Sequence, residues 1–96
     1  MDPAYRRAFG EELVALRSER ELTQQGLDFA THIHRTTISL WERGVYLPSF
    51  EHLLALCDAL EIQPSELLRR VEARLAEIKR SRKKPSTPKR GRPRPR

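Results

Sequence analysis

Residues 22–44 read LTQQGLDFATHIHRTTISLWERG, and no other stretch of the chain narrows its fold as much. Thr23 is a good side-chain cap, and Leu27 is the apolar anchor of the residues that follow, so a helix is expected over 24–30. Ile38 and Trp41 fall on one helical face, which predicts a second helix over 35–43 that Gly44 ends. Only a tight turn fits between them. The chain must therefore fold around two short helices set close together.

The flanking segments add helices. Asp2 is a cap, Pro3 is pre-set for a first helical turn, and Phe9, Leu13 and Leu16 recur at helical spacing to about Arg20. Ser49 caps a fourth helix with Leu53, Leu56, Cys57 and Leu60 inward, and Pro64 starts a fifth. The expected fold is all-α, a compact five-helix domain with an extended last helix and no convincing strand. In that last helix Leu68, Val71, Leu75 and Ile78 repeat at three and four residues. Two heptads cannot hold a coiled coil alone, so the stripe needs a partner. Helix 1 is one choice; because the helix extends outward, self-association is favoured, and these four residues are the expected dimerisation surface.

A chain of 96 residues has room for one folded unit and a tail, and a core this small suits short helices better than a catalytic cleft. Charge divides the two. Residues 1–78 hold 9 Lys/Arg against 13 Asp/Glu, a net of −4; residues 79–96 hold 10 Lys/Arg and no acid, a net of +10. The tail, KRSRKKPSTPKRGRPRPR, has no residues for a core and is expected to be disordered in isolation. The domain must instead gather its few cations on one surface if it is to meet phosphates. Cys57 has no disulfide partner, no signal peptide or membrane span is visible, and a cytoplasmic, nucleoid-associated protein is expected. His32, His34 and Cys57 match no common zinc spacing, so no metal or cofactor is expected. Nothing in the sequence argues for an enzyme.

Leu22, Thr23, Gln24, Leu27, Arg35, Thr37, Ile38, Ser39, Trp41, Glu42, Arg43 and Gly44 stand at fixed offsets. In that pattern the chain resembles the phage-repressor and Cro-like (XRE-type) helix-turn-helix regulators of bacteria over about residues 7–70. The resemblance implies that the second helix of the pair enters the major groove of double-stranded DNA while the first crosses the backbone. Arg35 and Thr36 then sit at base edges, Arg35 with the fork that bonds guanine O6 and N7 for about 1–3 kcal/mol of discrimination. Ser39 and Leu40 lie one turn deeper, with Leu40 suited to a thymine methyl. Gln24 starts the first helix, where free N–H groups and the dipole favour a phosphate. His34 and Thr37 are further phosphate candidates, the first alternatively a cap and the second alternatively half-buried. Arg43 and Tyr46, beyond the helix, are placed to clamp a phosphate on the far side. The resemblance also implies a structural ion pair between Arg17 and Glu42.

Three residues depart from the family pattern. His32 stands at the turn glycine, Glu61 at the glycine after helix 4, and Asp28 at a usually small apolar position of helix 2. Histidine tolerates positive φ. Asp28 needs a polar partner if it points inward.

In the tail, residues 88–94 read PKRGRPR and resemble an AT-hook. Gly91 lets the backbone lie on the floor of a narrow minor groove, Arg90 and Arg92 run along it, and narrow A·T tracts attract such arginines. A basic tail needing only charge reads equally well. The functional expectation is a transcriptional regulator, a repressor or autoregulator, that reads a palindromic operator as a homodimer. The alternatives are an antitoxin-type module whose main partner is a protein, and a tail-dominated non-specific nucleic-acid binder.

Overall fold

The structure, a computed structural model, describes residues 2–83. They form α1 (Pro3–Glu19), α2 (Gln24–Thr31), α3 (Arg35–Glu42), α4 (Phe50–Ala59) and α5 (Pro64–Lys83), with no strand among the described residues. Local chemistry sets the helix starts. Asp2 Oδ1 accepts from the Ala4 N–H at 2.9 Å, Thr23 Oγ1 from Gly26 at 2.9 Å and Ser49 Oγ from His52 at 3.1 Å, each satisfying a donor that the helix itself cannot. Three helix ends turn on non-glycine residues in the left-handed region: Glu21 at φ 57°, His32 at 62° and Glu61 at 55°. The last two stand where the resemblance led us to look for glycine.

The core joins all five helices. Leu13 and Leu16 of α1, Leu27 of α2, Ile38 and Trp41 of α3, Leu56 of α4 and Leu67 of α5 are all buried. Each is worth roughly 1.5–3 kcal/mol when removed from water. Gly10 marks the closest approach. A Cβ there would stand 2.5 Å from the Glu42 carbonyl oxygen and 2.7 Å from that of Trp41, and both obstacles are backbone. Gly10→Ala is therefore expected to destabilise by about 1–3 kcal/mol through overpacking. Denaturant unfolding should show a lower midpoint at unchanged slope. An alanine variant as stable as the parent would mean that α1 and α3 can separate at no cost.

The structure corrects the expectation for α5. Val71, Leu75 and Ile78 are buried in the chain's own core, and the helix packs along α1. Only Leu68, at 49% exposure, remains outside. The physical reason is a charged clamp that spacing does not reveal. Glu12, 3% exposed, accepts from Arg74 Nε at 3.0 Å, and its other oxygen is 2.6 Å from Arg70 Nε, an ion pair without an aligned hydrogen bond. Arg70 also bonds Glu19 at 2.7 Å, and Arg74 reaches Glu11 at 3.4 Å. These bonds lay the stripe against helix 1. The Arg70 guanidinium beside Glu19 holds that carboxyl below the usual carboxylate range. Its contribution is thus present above that range and fades as the pH falls through it.

α5 continues to Lys83. Lysine and arginine are good helix formers and favour a helix C-terminus, and the next proline is Pro85. Lys79 belongs to the fold, with its Nζ 5.7 Å from the centroid of the Tyr5 ring.

Candidate nucleic-acid interface

α2 and α3 are joined by His32, Ile33 and His34. His32 ends α2 in the left-handed conformation, and the buried Ile33 pins the turn to the core. Thr31 Oγ1 donates to the Leu27 carbonyl at 2.7 Å and accepts from the Ile33 N–H at 3.1 Å, so the reversal is held from both sides. His34 is the N-cap of α3: its Nδ1 accepts from the Thr36 N–H at 3.0 Å.

Asp28 answers the question its sequence position raised. Its Oδ2 accepts from the Arg35 N–H at 3.0 Å and lies 4.0 Å from an Arg35 guanidinium nitrogen. The carboxylate faces the start of α3 rather than the core. The Thr37 N–H bonds the His34 carbonyl at 2.9 Å, so the first three amides of α3 are all taken within the chain. No anion site is left at that helix start, and α3 can read a ligand only through its side chains.

Those side chains divide by face. Ile38 and Trp41 point inward, while Thr36, Ser39, Leu40 and Arg43 follow one another along the outer face, flanked by Arg35. Arg35, Thr36 and Arg43 are exposed, Ser39 and Leu40 half-buried. Thr37 is half-buried at the margin of the face, as one of its two expected positions had it. Beyond Arg43, Gly44 takes φ 76°, Val45 N–H bonds the Leu40 carbonyl at 3.0 Å and Gly44 N–H bonds that of Trp41 at 3.0 Å. This is a Schellman ending, whose left-handed residue favours glycine. Arg6 Nε donates to the Gly44 carbonyl at 3.2 Å, and Tyr46 emerges at 44% exposure just beyond.

The pair is braced from behind. Arg17 Nε donates to Glu42 Oε2 at 2.7 Å and its terminal nitrogens reach Glu42 Oε1 at 3.1 Å and the Leu22 carbonyl at 2.9 Å. The Gln24 amide also donates to Glu42 Oε1, at 2.7 Å. Glu42 thus ties α1, α2 and α3 together. The link from Gln24 to the end of α3 could not be read from spacing alone, nor could the contacts of Asp28 and Glu12, since each joins residues distant in sequence. Arg90, Gly91 and Arg92, the expected minor-groove contacts, lie outside the described residues. Among the described residues no group of three His, Cys, Asp or Glu side chains is arranged to hold a metal ion. No helix there is long and apolar enough to cross a membrane.

Two capped helices across a pinned turn, the second with a polar outer face and satisfied amides, define a helix-turn-helix protein. A helix-turn-helix family model (HTH_3) matches residues 13–67, and the chain belongs to this helix-turn-helix family. It is 37% identical over 60 residues to the HTH-type transcriptional activator BcrR of Enterococcus faecalis, a match covering 62% of this chain and 29% of that protein. It is 36% identical over 61 residues to control protein C.BamHI of Bacillus amyloliquefaciens, covering 62% of this chain and 75% of the relative. The chain thus spans under a third of the length of the activator. Among solved structures, the clp gene regulator ClgR from Corynebacterium glutamicum is similar with a TM-score of 0.77 and 26% identity, over 81% of this chain and 83% of that one.

Proposed function

We propose that the chain regulates transcription by reading a two-fold operator as a homodimer, with α3 in the major groove and α2 across the backbone. The observation that carries this reading is the outer face of α3. Arg35, Thr36, Ser39, Leu40 and Arg43 serve neither the core nor, apart from the Asp28 contact of Arg35, any bond in the fold. Arg35 reads guanine, Thr36 and Ser39 contact base edges or phosphates, and Leu40 meets a thymine methyl. At the start of α2 Thr23 takes the Gly26 N–H, leaving those of Gln24 and Gln25 for a phosphate. Gln24 then bridges that phosphate to Glu42, while His34, Thr37, Arg43 and Tyr46 supply further backbone contacts.

The dimer is assigned to an apolar cleft of about 150 Å³ lined by Tyr5, Phe9, Leu47, Pro48, Leu53 and Leu68. Its rim residues Tyr5 and Leu68 are exposed, as are Phe50 and Leu54 on the outer side of α4. A cleft with exposed apolar rim residues suits a self-complementary two-fold contact. The protein acts in the cytoplasm at the nucleoid. The control it exerts comes from occluding or touching polymerase, and Arg90, Gly91 and Arg92 add minor-groove or phosphate contacts.

Selection of duplexes from a random library at physiological salt tests this reading. The intact chain is expected to enrich a palindrome with half-site centres about 34 Å apart. Leu68→Asp should enrich a single half-site weakly or nothing at all. No enrichment by the intact chain would overturn operator reading, and a full palindrome enriched by Leu68→Asp would remove the cleft from the dimer contact.

A further inference from the structure

Asp28 touches Arg35 twice, through the backbone N–H at 3.0 Å and near the guanidinium at 4.0 Å, and both contacts use the same carboxylate oxygen. Its side chain is 26% exposed and that of Arg35 is 54% exposed, so the pair stands on the surface beside the outer face of α3. A neutral acceptor could also have taken the helix donor, if less strongly. What the carboxylate adds is a charge beside the one side chain of α3 with a bidentate fork.

We propose that Asp28 is a specificity-determining positioning residue for Arg35. This rests on the reading of Arg35 as the guanine contact. Two physical effects combine. A free arginine loses much rotamer freedom when it is fixed on a base, and a carboxylate anchored to the same residue's backbone limits that freedom in advance. At 4.0 Å and without a hydrogen bond, the carboxylate biases the guanidinium electrostatically and leaves its N–H groups for guanine O6 and N7. In addition, the carboxylate offsets the charge of Arg35, so a duplex offering only phosphates there gains less from this arginine and is repelled by Asp28. Only a guanine that accepts both bonds restores the balance. Asp28 therefore lowers affinity for the wrong base more than it lowers affinity for the right one.

The test uses the full chain as wild type, Asp28→Asn, Arg35→Ala and the double variant. Each is titrated at one fixed salt concentration against the duplex most enriched by wild type, its single-base variants and a scrambled duplex. Asparagine keeps an acceptor for the Arg35 N–H, so a thermal melt should match wild type; if it does not, preferences are compared at a temperature where every variant is fully folded. Arg35→Ala is expected to relax guanine preference at one position per half-site by about 5- to 150-fold. Asp28→Asn should shrink preference at that same position by about two- to fivefold, the range of a partly exposed charge pair, while binding scrambled duplex more tightly. In the Arg35→Ala background the asparagine should change no preference further.

If Arg35→Ala relaxes a position and Asp28→Asn does not, the positioning role is overturned and the guanine contact stands. An equal effect of asparagine with and without Arg35 also overturns it, because the helix cap would then be the cause. If Arg35→Ala relaxes no position, the guanine reading fails and the role of Asp28 fails with it.

Discussion

Glu42→Ala is expected to destabilise the domain by about 3–5 kcal/mol, because it strands a guanidinium in a partly buried site. Arg17 is 17% exposed and Glu42 6% exposed, and their bonds of 2.7 and 3.1 Å form a two-point contact. The removal also frees the Gln24 amide, which bonds the same carboxylate. Arg17→Ala should cost a similar amount, since Glu42 would keep only Gln24. Small domains have about 5–15 kcal/mol in total, so either variant loses a large share of its folded population on warming. Thermal and denaturant unfolding check this directly. DNA binding lost in such a variant would report unfolding rather than a missing contact. A domain with Arg17→Ala that melts with wild type would show that the pair does not hold the three helices together.

The second large effect is on salt dependence. If the intact chain neutralises about 6–10 phosphates, its affinity should fall about 10³- to 10⁵-fold between 50 and 200 mM salt. Ending the chain after Lys83 removes six Lys/Arg and no acid while leaving α5 whole. The slope of log affinity against log salt should then flatten by up to about 5, since each phosphate contact contributes about 0.9. Binding to a set of A·T-flanked and G·C-flanked duplexes separates the two roles of the segment. A flank preference lost on truncation supports minor-groove reading by Arg90, Gly91 and Arg92. Equal loss on both flanks supports phosphate contacts alone. An unchanged slope would remove residues 84–96 from the interface.

Much of the interface was legible because it is local. A cap and its helix, a turn and its positive φ, and the spacing of Ile38 and Trp41 all lie within a few residues of each other. The same spacing shows which side chains of α3 face away. Resemblance added the pairing of Arg17 with Glu42, whose bonds measure 2.7 and 3.1 Å. The stripe of α5 was visible as a period, but its partner was not. Period alone cannot distinguish a neighbouring helix from a second chain, and Val71, Leu75 and Ile78 are buried on the side of α5 that meets α1, where Arg70 and Arg74 pair with Glu12.

Taken alone, the order of residues determined the number of helices, their capped starts and which face of α3 is polar, because those depend on backbone propensity and on interactions within one turn. Tertiary structure decided that α5 lies along α1 and that Glu42 joins three helices. It also decided that Asp28 turns toward Arg35 instead of the core. Each of these is a charge meeting an opposite charge or a backbone donor, and such partners are selected by helix packing rather than by separation along the chain.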